Sequence, residues 1–477
     1  MEENRNRPAA SYETVIGLET HIALKTETKA FCSCAVTFGA EPNTHCCPVC
    51  LGMPGALPVL NEKAVEYAAK AGLLLHCRVS LVSHMDRKQY FYPDLPKGYQ
   101  ISQDDEPLCT DGWLEIPAAG GGKKRVRIER IHLEEDAGKL IHTAEGTLID
   151  CNRCGVPLIE IVTKPDFRSA EEVVAYLQEL REIIRFAGLS DCRMNEGSLR
   201  CDVNLSLRPR GSEELGERAE LKNLNSFQFA AKAIAFEEER QAAVLASGGT
   251  LFPETRGFCE ETGETYAMRR KESQDDYRFL PEPDLPPVVL TQDQIDRWRS
   301  ELPDPPAERR ARYESEYGLS HETAALLTVS RAAADRFEEA AARTPWARQL
   351  ANLLAADPER LEAGVPVAAQ SLAELAALLG EGSVGAAAAR RILDELWARG
   401  GDPREIAAHL GLLKLSDRAS LLPFAEQAVA ANGRAAADFR AGKTAALQAL
   451  LGDVMRRSHG RADPAAARAL LLELIGG

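Results

Sequence analysis

Two proline clusters, Pro281-Glu282-Pro283-Asp284-Leu285-Pro286-Pro287 and Pro303-Asp304-Pro305-Pro306, keep any single helix or sheet from running through the middle of this chain. The two sides also differ in composition. All twelve cysteines and most segments of alternating polarity come before the clusters, whereas Ala and Leu dominate after them and strand formers thin out. A boundary therefore falls near residue 295. Gly400-Gly401-Asp402-Pro403 interrupts the helical remainder once more, so the 477 residues divide into 1–295, 296–405 and 406–477, in line with ordinary domain sizes.

In the first part, Val15 to Lys25 alternates as a strand with Ile16, Leu18, Ile22 and Leu24 on one face. Glu19 and His21 then share the other face. Cys201, Val203, Leu205 and Leu207 alternate with Asp202, Asn204, Ser206 and Arg208 in the same way, so a second strand carries a polar row whose carboxylate is Asp202. Between them lies a helix. Ser169 and Glu172 read as a capping box, Val173, Val174, Leu177, Leu180, Ile183 and Ile184 as its apolar stripe, and Gly188 as its end. These patterns predict an α+β domain with mainly antiparallel pairing, followed by an all-helical remainder.

Cys32-Ser33-Cys34 and Cys47-Pro48-Val49-Cys50 bring four thiols into 19 residues, a spacing that can close a tetrahedral zinc site on two short knuckles. Cys46 points away from Cys47 in extended chain and is not counted as a ligand. The plainer alternative is a set of buried or redox-active thiols. Cys151-Asn152-Arg153-Cys154 has no second pair at metal-ligand spacing and suits a core or loop role.

His132-Leu133-Glu134-Glu135-Asp136 sets three acids after a strand-like run whose apolar parity changes between Ile128 and Ile131, as a bulge would cause. Such a run is commonly a solvated turn. Glu160, however, sits in the apolar string Pro157 to Val162, where an unpaired carboxylate would cost several kcal/mol, so it needs a cation or donor. Glu220 and Lys222 share one face just before Asn223-Leu224-Asn225-Ser226-Phe227. Carboxylates drawn from several strands, Glu19, Glu135, Glu160, Asp202 and Glu220, with the imidazole of His21, suit hard divalent ions such as Mg²⁺ that bridge nucleotide phosphates. An ATP site without a P-loop follows. Gly120-Gly121-Gly122-Lys123-Lys124 lacks the phosphate-loop spacing and is read as a hairpin turn, while Arg87 and Lys88 could supply cations to phosphate or form an ion-paired surface.

The net charge of −15 argues against wholesale coating by nucleic acid. The tail runs the other way. From residue 406 onward nine Lys and Arg stand against six Asp and Glu, so a nucleic-acid footprint is expected there or in a local groove. No apolar run is long enough to cross a bilayer and the N-terminus is polar, which predicts a cytoplasmic protein with reduced thiols.

The strings VIGLETH (Val15 to His21), EPN (Glu41 to Asn43), CPVCLG (Cys47 to Gly52), PGALPVLN (Pro54 to Asn61), YFYPDLPKGYQISQ (Tyr90 to Gln103), HLEEDAGK (His132 to Lys139), GVPLIEIV (Gly155 to Val162), EGSLRCDVN (Glu196 to Asn204) and KNLNSF (Lys222 to Phe227) resemble the GatB family of the bacterial tRNA-dependent amidotransferases. The resemblance continues through Asp276-Tyr277-Arg278 and covers essentially the whole chain. It departs at Asn195, where an acid is frequent, at Cys46 and Cys151, which replace non-thiol residues, and at Phe279-Leu280, which replaces an aromatic pair. The resemblance implies a cradle-like catalytic domain, a helical domain and a small YqeY-like tail that contacts tRNA. It also implies a heterotrimer in which this chain joins an amidase and a small third protein, with ammonia channelled from the amidase to this chain. There ATP would phosphorylate the side-chain carboxylate of Glu-tRNA(Gln) or Asp-tRNA(Asn), and ammonia would displace the phosphate. Family metal and phosphate residues map onto Glu19, His21, Glu135, Glu160, Asp202 and Glu220, and the family's structural zinc ligands onto Cys32, Cys34, Cys47 and Cys50; Glu19, His21 and Glu135 are expected at magnesium, and the residues themselves point Arg87, Lys88 and Lys222 toward the nucleotide. Two rivals remain: a zinc-stapled RNA-binding or scaffold protein, and a stand-alone amide ligase, which leaves the helical tail without a role.

Overall fold

The structure, a computed structural model, describes residues 12–118, 120–270 and 277–476; residues 1–11 and Asp276, both used above, lie outside them. It forms two compact units, Met1–Pro305 and Pro306–Gly477.

The first unit is built on a nine-stranded sheet. Five of its strands carry the polar residues singled out above: β1 (Tyr12–Ala23), β2 (Lys123–Glu135), β3 (Pro157–Thr163), β4 (Leu199–Pro209) and β5 (Ala219–Lys222). Across the sheet the order is Glu264–Arg270, Glu254–Cys259, β5, β4, β1, β3, β2, Cys109–Pro117, Arg78–Val79. Pairing is antiparallel throughout except between β5 and Glu254–Cys259. The α+β expectation, with mainly antiparallel pairing, is met. The Gly120–Gly122 segment turns between Cys109–Pro117 and β2, as a hairpin. The parity change in β2 is a bulge: Val162 pairs with Arg130 but Thr163 pairs with Ile128, which leaves Glu129 as the extra residue.

One face of this sheet is apolar. Ile16, Leu18, Ile22, Ile131, Leu133, Ile159, Ile161, Val203 and Leu205 pack there in one core with residues of helices α1 (Glu62–Leu74), α2 (Ala170–Phe186) and α3 (Phe227–Ala246). Helix α2 starts where the sequence puts it, with Ser169 Oγ accepting the Glu172 N–H at 3.4 Å. Its capping box is incomplete, because the Glu172 carboxylate accepts from the Arg168 N–H one residue earlier. Leu177 is fully buried in this core, so Leu177→Ala should lower unfolding stability by about 2–5 kcal/mol in a denaturant titration.

Within the second unit the described residues form helices, with two apolar clusters. One gathers residues from Tyr313 to Ala407, the other from Leu421 to Ile475. The expected 405/406 division falls inside the helix Pro403–His409, and that helix contributes Ala407 to the first cluster. No helix among the described residues is long and apolar enough to cross a membrane.

Candidate active site

With the apolar residues of β1 to β5 turned toward the helices, period-2 alternation turns every second residue to the opposite face. Strand register then aligns those residues. His21 on β1 faces Arg200 on β4 and Glu160 on β3, and Glu160 faces His132 on β2. One step along, Glu19 faces Asp202, and Asn204 faces Glu220.

These rows give two groups of oxygen and nitrogen ligands. In the first, His21, Glu134 and Glu160 bring ligand atoms within 4.8 Å of one another. His21 Nε2 lies 3.4 Å from Glu160 and 3.6 Å from Glu134, and His132 Nε2 lies 3.2 Å from Glu160. Glu134 and Glu160 are buried. Burial alone would raise the Glu160 carboxyl, yet His132 and His21 hold it well below the usual range. Burial likewise opposes charge on His132, but Glu160 and Glu134 outweigh it and push the ring up to about 9. The anion Glu160 thus finds the cationic partners its apolar setting demands. Two buried carboxylates and a ring nitrogen whose ligand atoms converge in this way form a donor set that suits a divalent cation, which would replace the proton on His21.

The second group is Glu19, Asp202 and Glu220, again within 4.8 Å. Lys222 Nζ reaches Asp202 directly and Glu220 at 3.3 Å, and burial, which would discharge it, is overcome by these two acids. Asn204 donates to Glu19 at 2.9 Å, and its buried Oδ1 has no hydrogen-bond partner. An orphaned carbonyl oxygen beside three carboxylates fits the oxygen-only coordination of Mg²⁺.

Three expected site residues lie elsewhere. Glu135 has the parity of Ile131 and Leu133, so it leaves β2 on the face opposite His21 and does not join the magnesium set proposed for it with Glu19 and His21. It binds Lys97 Nζ at 2.6 Å and the Ile101 N–H at 2.9 Å, and lines a cavity of about 110 Å³ with Cys32, Cys50, Lys97 and Tyr99. Arg87 is held bidentately by buried Glu282 at 2.7 and 2.8 Å and by Asp284 at 3.0 Å, and its guanidinium sits 4.3 Å from the Tyr99 ring centroid. Its guanidinium is thus paired with two carboxylates in the structure. Lys88 stacks over Tyr277 at 4.9 Å.

Sequence reasoning missed Glu134, His132 and Arg200. The signal for the first two was present, since Ile131 and Leu133 fix the apolar face and so send His132 and Glu134 to the polar one. Arg200, whose position opposite His21 only pairing reveals, holds Asp136 at 3.1 Å.

Away from the sheet rows, Cys32, Cys34, Cys47 and Cys50 converge with their sulfurs within 4.8 Å. The Cys47 N–H lies 3.2 Å from Cys50 Sγ, and Cys46 turns to Asn152 at 3.8 Å. Four sulfurs in such a tetrad match the donor set of a closed zinc site. The Cys151–Cys154 turn anchors this lobe: Asn152 accepts the His45 N–H at 2.8 Å and donates to the Glu41 carbonyl at 2.8 Å, and Asn43 accepts the Cys151 N–H at 2.8 Å.

The family model described as "GatB/GatE catalytic domain" matches residues 14–296, and that described as "GatB domain" matches residues 331–475. Curated proteins named as the B-subunit of aspartyl/glutamyl-tRNA(Asn/Gln) amidotransferase match along nearly the whole chain. The one from Caldicellulosiruptor saccharolyticus is 47% identical over 475 residues, 97% of this chain and 98% of its own length. That from Enterococcus faecalis is 47% identical over 471 residues, covering 97% and 99%, and that from a Picosynechococcus is 45% identical, covering 98% of each.

Proposed function

The chain belongs to the GatB family, and from that membership we propose that it is the component of a glutamine-dependent carbon–nitrogen ligase that amidates Glu-tRNA(Gln), Asp-tRNA(Asn) or both. Its partners are the misacylated tRNA together with the amidase and the small third protein of the heterotrimer. The observation that carries the chemical reading is the pair of adjoining carboxylate groups on one sheet face, linked through Glu19 and His21 of the same strand. Buried acids such as Glu134 and Glu160 do not suit the rival reading of a solvated scaffold surface.

On this reading His21, Glu134 and Glu160 hold one Mg²⁺, and Glu19, Asp202 and Glu220 a second. Bound there, the ions would supply charge neutralisation as ATP meets the substrate carboxylate. His132 keeps Glu160 ionised and oriented. Asn204 orients Glu19 through the hydrogen bond it donates, and Lys222 and Arg200 present positive charge beside the acids where phosphoryl oxygens would lie. The tRNA-linked carboxylate takes the γ-phosphoryl group of ATP, and ammonia then displaces phosphate to leave the amide. The test is the purified complex with ATP, ammonium and Glu-tRNA or Asp-tRNA. Amidated tRNA is the expected product; ATP-dependent amidation of a free acid without tRNA would point to the stand-alone ligase, and no amidation of either to a scaffold.

The helical tail is the proposed tRNA contact, supported by its local positive balance in an acidic chain. Truncation after Lys414 spares the first apolar cluster of the helical unit. It should weaken tRNA binding and flatten its salt dependence in filter-binding titrations, with glutaminase activity of the complex largely kept. Unchanged tRNA affinity would count against the assignment.

A further inference from the structure

Lys29 is fully buried, which is rare for an ammonium group and costly unless it is paired. No carboxylate among the described residues forms an ion pair with it. Glu135, across the Gly155 turn, is taken by Lys97 at 2.6 Å. The polar contacts of Lys29 Nζ are Cys50 Sγ at 3.5 Å and the Cys151 carbonyl at 3.3 Å. Its stem runs along the turn that follows Cys154, where a Cβ on Gly155 would lie 3.5 Å from Lys29 Cδ and 3.6 Å from Cys50 Cβ. Its backbone belongs to the same lobe, with the Lys29 N–H donating to the Cys34 carbonyl at 3.0 Å.

A buried cation without a carboxylate must be balanced by another anion. A divalent metal held by four thiolates is a dianion, and its buried side here is Cys50, the thiol that Lys29 touches, where positive charge would offset it. We propose that Lys29 is the internal counter-cation of a metal tetrathiolate formed by Cys32, Cys34, Cys47 and Cys50, donating N–H···S to Cys50 and tying the metal lobe to the Cys151–Cys154 turn through the Cys151 carbonyl. This rests on the reading of the four thiols as a metal site and adds to it a positioning residue outside the ligand set. The N–H···S contact draws charge off Cys50, slows protonation of that ligand and hence slows metal loss.

The test compares wild type, Lys29→Met and Lys29→Arg, each purified in its heterotrimer. Zinc content is measured first, then the rate of zinc transfer to a chromophoric chelator, then the sulfur-to-metal charge-transfer band after cobalt substitution. Lys29→Met should lose zinc faster on the order of 10- to 100-fold, and its cobalt band should move to lower energy because the Cys50 thiolate is no longer relieved of charge. Lys29→Arg, which keeps the cation, should return both toward wild type. Wild-type protein without metal would overturn the tetrathiolate itself. Zinc in the wild type with an unchanged release rate and band in Lys29→Met would overturn the role of Lys29 alone. Should Lys29→Met prove insoluble, ¹⁵N-lysine labelling of the wild type decides: an exchange-protected ammonium signal that disappears on chelation is expected, and its absence in zinc-loaded protein would refute the inference.

Discussion

Glu134→Ala is expected to lower ATP-dependent amidation of tRNA on the order of 10²-fold or more with free ammonium as donor, equivalent to roughly 2.7 kcal/mol of transition-state stabilisation. His21→Ala should match it. The reason is geometric: with Glu160, these residues bring ligand atoms within 4.8 Å, so removing any one breaks a single constellation. Glu135→Gln is the informative contrast, since its side chain leaves the other face of the sheet and meets Lys97. Its loss with ammonium should stay within about tenfold, the size expected for a weakened charge pair rather than a lost metal ligand. Ammonium bypasses the amidase and any channel, so rescue of Glu134→Ala by ammonium would assign its defect to ammonia supply and overturn the metal role. Equal losses in Glu134→Ala and Glu135→Gln would overturn the division by face.

That contrast also marks what local pattern could tell. The alternation of Ile16, Leu18 and Ile22 was enough to put Glu19 and His21 on a common polar face, and the apolar neighbours of Glu160 were enough to demand a partner for it. In HLEEDAG three consecutive acids offered no choice by composition, and the choice depended on carrying the Ile131/Leu133 parity through to Glu134. The pairing of Glu19 with Asp202 could not be read at all. It spans 183 residues and depends on the register between β1 and β4, which no local pattern fixes. The same holds for Arg87, whose fate is decided by Glu282 and Asp284 on a segment 195 residues away or more. Lys29 was silent for the opposite reason, since a lysine among polar loop residues gives no sign of its own burial.

On the reading of Cys32, Cys34, Cys47 and Cys50 as a zinc site, Cys47→Ser should strip the metal from that lobe and cost more stability than any core truncation. Between Leu24 and Asn61 the chain has no regular helix or strand beyond the isolated Thr28–Ala35 bridge, so little backbone structure of its own holds this segment. It contributes only Ala30 and Phe31, with part-buried Val49 and Leu60, to a small apolar cluster with Met85, Ile101 and Leu285. Closing four thiolates on zinc would supply what such a core cannot, with apparent binding free energies of about 10–16 kcal/mol for structural sites. Metal analysis should find about one zinc per wild-type chain. Cys47→Ser should hold little, melt at lower temperature, and be cut by protease within residues 32–50 before the rest of the chain. Cys46→Ser is the matched control, because Cys46 faces Asn152 instead of the tetrad, and it should keep both metal and melting temperature. Amidation should fall in Cys47→Ser as well, since Cys32 and Cys50 wall the cavity into which Glu135 and Lys97 project. A metal-free wild type of full stability, or zinc loss in Cys46→Ser equal to that in Cys47→Ser, would refute the four-thiol assignment.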